Sequence, residues 1–264
     1  MLDISERLLS APSTAEIWGI FSGDLADRGF EFVFYAARPF IDVPTLRRDA
    51  ELDIYTSYPA DFMDEMVGGG HLMHSPWVRW SYENRGATGA DFIHRPEAAP
   101  YRGRKAMDAV ACAERHGVAN GHIISLHRLS ARVHGALALT PHRGAPQVTS
   151  DDLWAEHGRE ILVLASLMHL RLGTMPRVAC EDGLTPRQRQ VLEWISGGRT
   201  VAEVAAILGV TPATVEKHLR LARESLGVGT TAQAILKAHL RNQIFVQGTA
   251  PESDPAPPMT KTQD

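Results

Sequence analysis

The sequence predicts an α+β protein: an N-terminal α/β/α sandwich around a central antiparallel sheet, then a small all-α domain of four helices with a helix-turn-helix. Three observations predict it. Helix-like and strand-like segments alternate through residue 172. A stretch bearing Gly, Pro and acidic residues, 173–183, then interrupts the periodicity as a linker. Beyond it, residues 184–245 hold eight Lys/Arg against four Glu, whereas the 264-residue chain carries a formal charge of -4, which leaves -8 for the rest. A basic module joined to an acidic one fits a nucleic-acid reader with a separate control domain.

The elements follow in order. Ile4, Leu8, Ile17, Phe21 and Leu25 have helical spacing, broken near Ala11-Pro12. "GFEFVFYAARP" (29–39) and "ELDIYTSYP" (51–59) read as strands, rich in aromatic and β-branched residues. "PADFMDEMV" reads as one short helix, stopped by Gly68-Gly69-Gly70. Residues 100–116 have Ala106, Ala109, Val110 and Ala113 on one helical face. "GHIISLHRL" and "RVHGALALTP" read as two strands joined by a short polar turn. Residues 150–173 form a long amphipathic helix, with Ser150 as the expected N-cap and Asp151 and Asp152 in its first turn. After Phe245 the chain is Pro-rich and nearly devoid of apolar residues, so 246–264 is expected to be disordered.

Composition narrows the function. At 44% hydrophobic and 22% charged residues, the chain has material for a sizeable core. The two cysteines, Cys112 and Cys180, have no metal-type spacing between them, and reduced cytoplasmic thiols are the expectation. The N-terminus lacks a basic region followed by an apolar run, and no 18-residue apolar stretch occurs, so neither a signal peptide nor a membrane span is expected. Among twelve histidines, His71/His74 and His122/His127 lack a suggestive carboxylate partner or an HExxH pattern, so no metal site is expected. No G-x-S-x-G occurs, and the Gly triplet at 68–70 lacks a following Lys-Ser/Thr; no enzyme is expected. Residues 1–40 offer no acidic pair after a strand, which argues against a phosphoreceiver.

In the basic module, helix starts are punctuated by Thr185-Pro186-Arg187-Gln188, Thr200-Val201-Ala202-Glu203, Thr211-Pro212 and Thr230-Thr231-Ala232-Gln233. Gly197-Gly198, Gly209 and Gly227 stand where helix ends favour a left-handed residue. In the third helix Val215, Leu219, Ala222 and Leu226 form a buried stripe, while Ala213, Glu216, Lys217, Arg220 and Glu224 point away from it. A helix so offered, braced by Val204, Ala205 and Leu208 of the preceding one, is a helix-turn-helix arrangement; the alternative is a helical hairpin with a solvated charged face.

"LTPRQRQVLEWISGGRTVAEVAAILGVTPATVEKHLRLARESLGVGTTAQAI" closely resembles the LuxR-type helix-turn-helix of quorum-sensing regulators and FixJ/NarL-type response regulators. Gln188 departs from that pattern, where Glu is usual, yet can still complete the cap. The resemblance implies binding, as a homodimer, to an imperfect DNA palindrome with half-sites about one helical turn apart. It implies base contacts from Glu216, Lys217 and Arg220 and phosphate contacts from Thr211, Thr214 and Arg223. Glu216 would accept from cytosine or orient Arg220 one turn on. Ile235, Leu236 and Leu240 are dimer-contact or core residues.

Residues 15–170 resemble, more thinly, the acyl-homoserine-lactone-binding domain of LuxR regulators. The resemblance is carried by "YPADFMDEMVGGGHLMHSPWV" and "ACAERHGVANGHIISLH". It implies a ligand pocket around Tyr58, Phe62, Met66, Ser75, Trp77 and Phe92. Tyr58 matches a Tyr that reaches the acyl carbonyl, and Gly121 a structural Gly. Phe62 stands for a Trp donor to the lactone carbonyl, Met66 for a Tyr, and Ser75 for an Asp acceptor. Losing the donor and the acceptor each costs an ordinary acyl-homoserine lactone about 1–3 kcal/mol. Three readings follow: a different small molecule, a lactone held in an altered way, or a pocket filled by side chains, in part Trp77, which makes the domain a ligand-independent dimerisation unit controlled by a protein partner. No cofactor is expected beyond such a signal.

Overall fold

A computed structural model of the chain describes residues 1–39, 52–127, 129–130, 133–175 and 184–244. It divides into two compact units, Met1–Met175 and Pro176–Asp264. The segment 246–264, expected to be disordered, and 176–183 of the expected linker lie outside the described residues.

The N-terminal unit is a five-stranded antiparallel sheet between helical layers. Helices α1 (Leu2–Ser10) and α2 (Thr14–Asp27) precede β1 (Phe32–Pro39) and β2 (Asp53–Thr56). Short α3 (Ala60–Met63) continues into a wide π-turn over Asp64–Gly68. Then come α4 (Pro76–Glu83), β3 (Gly86–Gly89), α5 (Arg104–Arg115), β4 (His122–Ser125), β5 (Val133–Thr140) and α6 (Gln147–Thr174). The strand order is β2-β1-β5-β4-β3. The sequence reading passed over α4 and β3. Helix α4 hides behind Pro76, and β3 is only "GATG", with neither apolar run nor alternation.

Strand alternation sorts the side chains into two layers. Val33, Tyr35, Ala37, Ile124, Leu137 and Leu139 face α1, α2 and α6 and join Ile17, Phe21, Leu25, Ile161 and Met168 in the main core. Phe32 belongs to the opposite layer, with Tyr58, Phe62, Met66, Ala109, Cys112 and Ala113. Phe34 pairs with Ala138, which pairs with Ile123, so a row of residues crosses three strands on that side.

Ser150 does not cap α6. The helix starts a turn earlier at Gln147, and Ser150 is fully buried inside it, with its Oγ 2.8 Å from His122 Nδ1. "PQVT" carries no apolar periodicity, so the extra turn was invisible to pattern. His122, His134 and His169 are buried; burial pulls each down to about 4, so they stay neutral at physiological pH. His169 Nδ1 lies 2.9 Å from the Tyr35 hydroxyl.

The second unit holds α7 (Pro186–Ser196), α8 (Val201–Leu208), α9 (Pro212–Ser225) and α10 (Thr231–Leu240). Capping boxes close on Thr185/Gln188, Thr200/Glu203 and Thr230/Gln233, and Thr211 caps α9 through Thr214 N–H. Each side-chain cap is worth about 1 kcal/mol, so the four punctuate the domain strongly. Gly198, Gly209 and Gly227 have positive φ, whereas Gly197 does not.

Gly121 matters for a steric reason. A Cβ there would collide with the Leu139 carbonyl oxygen of the neighbouring strand and crowd Thr140. Gly121→Ala is therefore expected to destabilise the N-terminal unit by about 3 kcal/mol in urea unfolding. Gly19→Ala, on α2 with open space around it, should instead gain roughly 0.5 kcal/mol. Equal effects of the two substitutions would contradict the steric account.

Candidate functional site

An apolar cavity lies between the sheet and the α3–α5 layer. It encloses about 670 Å³, counting its opening to solvent. Its sheet-side wall is formed by Phe34, Ile123 and β5; its other walls by Phe62, Met63, Met66, Leu72, Trp77, Val78, Ala113 and Val118. The room has a local origin. On β5 the residues facing the main core are Leu137 and Leu139, while those alternating with them are Ala136 and Ala138. Methyl groups stand where larger side chains would fill the space.

The structure brings Tyr58, Phe62, Met66, Ser75 and Trp77 to this cavity. It does not bring Phe92. That ring packs against Trp80 and Tyr101 in a neighbouring cluster, and Ala90 occupies the wall instead. Phe92 lies in the 3-10 turn Ala90–His94, two residues beyond the Ala90 that lines the wall, and the resemblance that proposed it is thin there. Trp77 borders the cavity without closing it. Its indole N–H donates to the Ala90 carbonyl at 2.9 Å, which fixes the ring against the wall and leaves that donor unavailable to a ligand.

Polar groups are few, and their directions follow from stoichiometry. Thr140 Oγ1 donates to the Asn120 carbonyl at 3.0 Å, since a carbonyl only accepts. Tyr58 Oη lies 2.8 Å from Thr140 Oγ1, so the tyrosine is the donor of that pair. The Tyr58 proton is thereby committed, and the phenol oxygen faces a ligand as an acceptor. Burial pushes the Tyr58 hydroxyl well above its usual range, so it stays protonated. Reaching an acyl carbonyl, the role implied by resemblance, would require breaking the Thr140 contact. Ser75 is buried and precedes α4, yet its hydroxyl makes no capping bond and has no hydrogen-bond partner among the described residues. Its hydroxyl is not among the fully enclosed unpartnered atoms and lies on the cavity lining, so water or a guest can reach it. Sequence reasoning missed Thr140, Asn120 and the β5 alanines; the Ala-Leu alternation in "ALALT" was the available signal.

Behind Phe62 lies a polar cluster that sequence reasoning also missed. His116 Nε2 is 2.8 Å from Glu65 Oε2, and Arg115 pairs with the other Glu65 oxygen. The Phe62 ring packs on His116 with centroids 5.5 Å apart. Hydrogen bonding from His116, then from Arg115, holds the Glu65 carboxyl below its usual range. Burial, then Glu65, raises the Cys112 thiol.

In the second unit, Val215, Leu219, Ala222 and Leu226 are buried with Val204 and Ala205. Thr211, Ala213, Glu216, Lys217 and Arg220 are exposed along α9, and Thr214 and Arg223 are half-buried. Arg187 reaches from α7 to donate to the Leu208 carbonyl, 3.0 Å away, closing the end of α8 ahead of the Gly209 turn. Arg220 pairs with Glu224 at 2.6 Å, not with Glu216. Both partners lie at four-residue spacing from Arg220, so spacing alone could not choose between them. Arg223 donates to Thr231 Oγ1 at 3.0 Å, which holds its guanidinium at the start of α10. Ile235 packs on the domain core, while Leu236 is exposed.

Comparison with known families now bears on both units. Residues 13–172 match the autoinducer binding domain, and residues 182–238 match the bacterial regulatory proteins of the luxR family. The chain belongs to the LuxR family. It is 30% identical over 222 residues to the transcriptional activator protein SolR of Ralstonia solanacearum, covering 80% of this chain and 84% of that one. Its fold is similar to that of Escherichia coli SdiA, with a TM-score of 0.53 at 18% identity, covering 91% of this chain and 95% of that one. SdiA has also been solved in complex with octanoyl-rac-glycerol, a structure matched at the same TM-score and identity over 91% of this chain and 93% of that one. The relatives of this LuxR-type chain are transcriptional regulators, not enzymes. Among the described residues, no helix is long and apolar enough to cross a membrane.

The Tyr58–Thr140–Asn120 relay gives an ordering of stabilities. Tyr58→Phe removes one hydrogen bond and is expected to cost about 1 kcal/mol. Thr140→Val strands both the Asn120 carbonyl and the Tyr58 hydroxyl and should cost about 2–3 kcal/mol. Urea unfolding of the two variants tests this, and the reverse order would contradict the donor assignment.

Proposed function

We propose that this LuxR-type regulator is a quorum-sensing transcription factor that binds an imperfect DNA palindrome as a homodimer in the cytoplasm under the control of a small molecule held in its N-terminal cavity. The observation that carries the reading is an apolar cavity with an unpartnered Ser75 hydroxyl inside an autoinducer-binding domain. A pocket already filled by its own side chains fits less well, because Trp77 is tied to Ala90 and the alanine face of β5 leaves room.

The cavity's chemistry favours a ligand with an apolar chain and a compact polar head. Tyr58 offers an acceptor and Ser75 both a donor and an acceptor. Phe62 and Met66 offer neither. A hydroxyl-bearing head suits such a set better than a lactone, whose oxygens only accept. SdiA's octanoyl-rac-glycerol is a molecule of that general kind. An acyl-homoserine lactone remains the second reading, with its amide N–H given to Ser75 or Tyr58, because the family match is to an autoinducer domain.

On the DNA side, Glu216, Lys217 and Arg220 are proposed to meet base edges and Thr211, Thr214 and Arg223 to meet phosphates. Lys217 stands exposed, while Arg220 must exchange Glu224 for a guanine edge. Arg223, positioned by Thr231, suits a phosphate that needs a fixed cation.

The test is salt-dependent affinity for selected operator and random duplexes. Arg220→Ala is expected to weaken operator binding roughly 10-fold or more while leaving random-DNA affinity nearly unchanged. Arg223→Ala should weaken both and lower the salt slope by about one. Equal losses on both duplexes for both variants would refute the assignment of roles.

A further inference from the structure

We propose that Glu65, Cys112 and His116 form a binding site for a divalent transition ion, zinc by preference, that ties α5 to the segment lining the cavity. One ligand atom from each lies within 4.8 Å of the others. The ligand atoms of a four-coordinate zinc ion stand roughly 3.3–3.7 Å apart, so the separations must close by at most about 1.5 Å. Cys112 and His116 are four residues apart on one helix and thus share a face; Glu65 approaches from the π-turn opposite.

The surroundings are what a metal site needs beyond its ligands. His116 turns Nε2 toward Glu65 Oε2 at 2.8 Å and Nδ1 toward Asp61 Oδ2 at 3.5 Å. A histidine that ligates through one nitrogen and donates from the other to a carboxylate is the usual outer arrangement of metal sites. Asp61 is itself held by both its oxygens on Arg143, at 2.8 and 3.0 Å. The Glu65 oxygen turned from His116 is paired with Arg115, which leaves Oε2 for a metal. Thiolate and carboxylate together balance the ion's two charges, imidazole supplies a neutral nitrogen, and water completes four-coordination. On binding, the Cys112 thiol loses its proton to solvent as the sulfur–metal bond forms. The ion takes the place of the proton between His116 Nε2 and Glu65, and the neutral ring then carries its one proton on Nδ1, donated to Asp61.

The site adjoins the cavity. Phe62 packs on His116 and lines the cavity, and Met63 and Met66 flank Glu65 in sequence and line it too. An ion here would fix the 60–68 segment against α5 and so hold one wall of the cavity in place. The inference does not rest on the identity of the signal molecule or on the DNA contacts.

The experiment is cobalt titration of the metal-free full-length protein, read by absorption. The expected result is one ion per chain, with visible bands of four-coordinate cobalt and a near-ultraviolet sulfur-to-cobalt band, bleached by one equivalent of zinc. Cys112→Ser should abolish the sulfur band, and Cys180→Ser should leave it. Asp61→Asn should weaken binding about 10-fold, as loss of an outer partner does. Zinc should also raise the melting temperature of the unmodified protein but not of Cys112→Ser. Absence of a saturable sulfur band in the unmodified protein overturns the proposal, as does a band that survives Cys112→Ser or vanishes with Cys180→Ser. Should Cys112→Ser fail to fold, loss of the band in His116→Gln, with the Cys180→Ser band intact, decides in favour; a band retained in His116→Gln decides against.

Discussion

Strand β5 alternates leucine with alanine, and the period of two sends the leucines to one face of the sheet and the alanines to the other. The N-terminal unit depends on that asymmetry. Leu137 and Leu139 complete a close-packed core against α1, α2 and α6, which supplies stability. Ala136 and Ala138 leave the opposite face under-filled, so the α3–α5 layer rests on the sheet around a void. Since β5 pairs on both sides, with β1 and β4, the void sits over the middle of the sheet. Gly121 belongs to the same constraint: without a Cβ, it lets its strand approach Leu139 closely at the cavity's edge.

The few polar atoms in this void define what it can recognise. The Asn120 carbonyl takes the Thr140 proton, and Thr140 takes the Tyr58 proton, so the direction of a two-bond relay turns the tyrosine into an acceptor. Discrimination in such a site comes mainly from groups left unpaired by the wrong guest, at about 1–3 kcal/mol each. Ser75 is the group most exposed to that penalty. The DNA-reading unit obeys a different economy. Its four short helices form a small core, and threonine caps and left-handed glycines define where each helix begins and ends. That leaves the outer edge of α9 free to carry charge.

Legibility differed between the two units for this reason. In the second unit, information is local: caps, Pro at the first helical position and a buried stripe each sit within a few residues, and all four helices fall where Thr185, Thr200, Thr211 and Thr230 mark them. What stayed hidden was the choice between Glu216 and Glu224 as partner of Arg220, because both stand one turn away and only rotamers decide. In the first unit, long elements such as α2, β1, β5 and α6 were legible from periodicity, but β3 and α4 were not. Phe92 came from a thin stretch of resemblance, two residues from the Ala90 that lines the wall, and the Ser150 cap from a helix that begins before its apolar pattern does. The Glu65–Cys112–His116 cluster was hidden because its members are about fifty residues apart, although Cys112 and His116 alone had a readable four-residue spacing.

The measurement that tests the central claim most directly is thermal unfolding of the full-length protein with a panel of acyl-homoserine lactones and acyl-glycerols, beside an Ala138→Trp variant that fills the cavity. A ligand confined to the folded state raises the melting temperature by mass action, by an amount that grows with its concentration over Kd. The account predicts a concentration-dependent rise with at least one acyl compound, larger for the hydroxyl-bearing head, and none in the filled variant. No rise with any compound, or the same rise in Ala138→Trp, would contradict the claim that this cavity receives the signal.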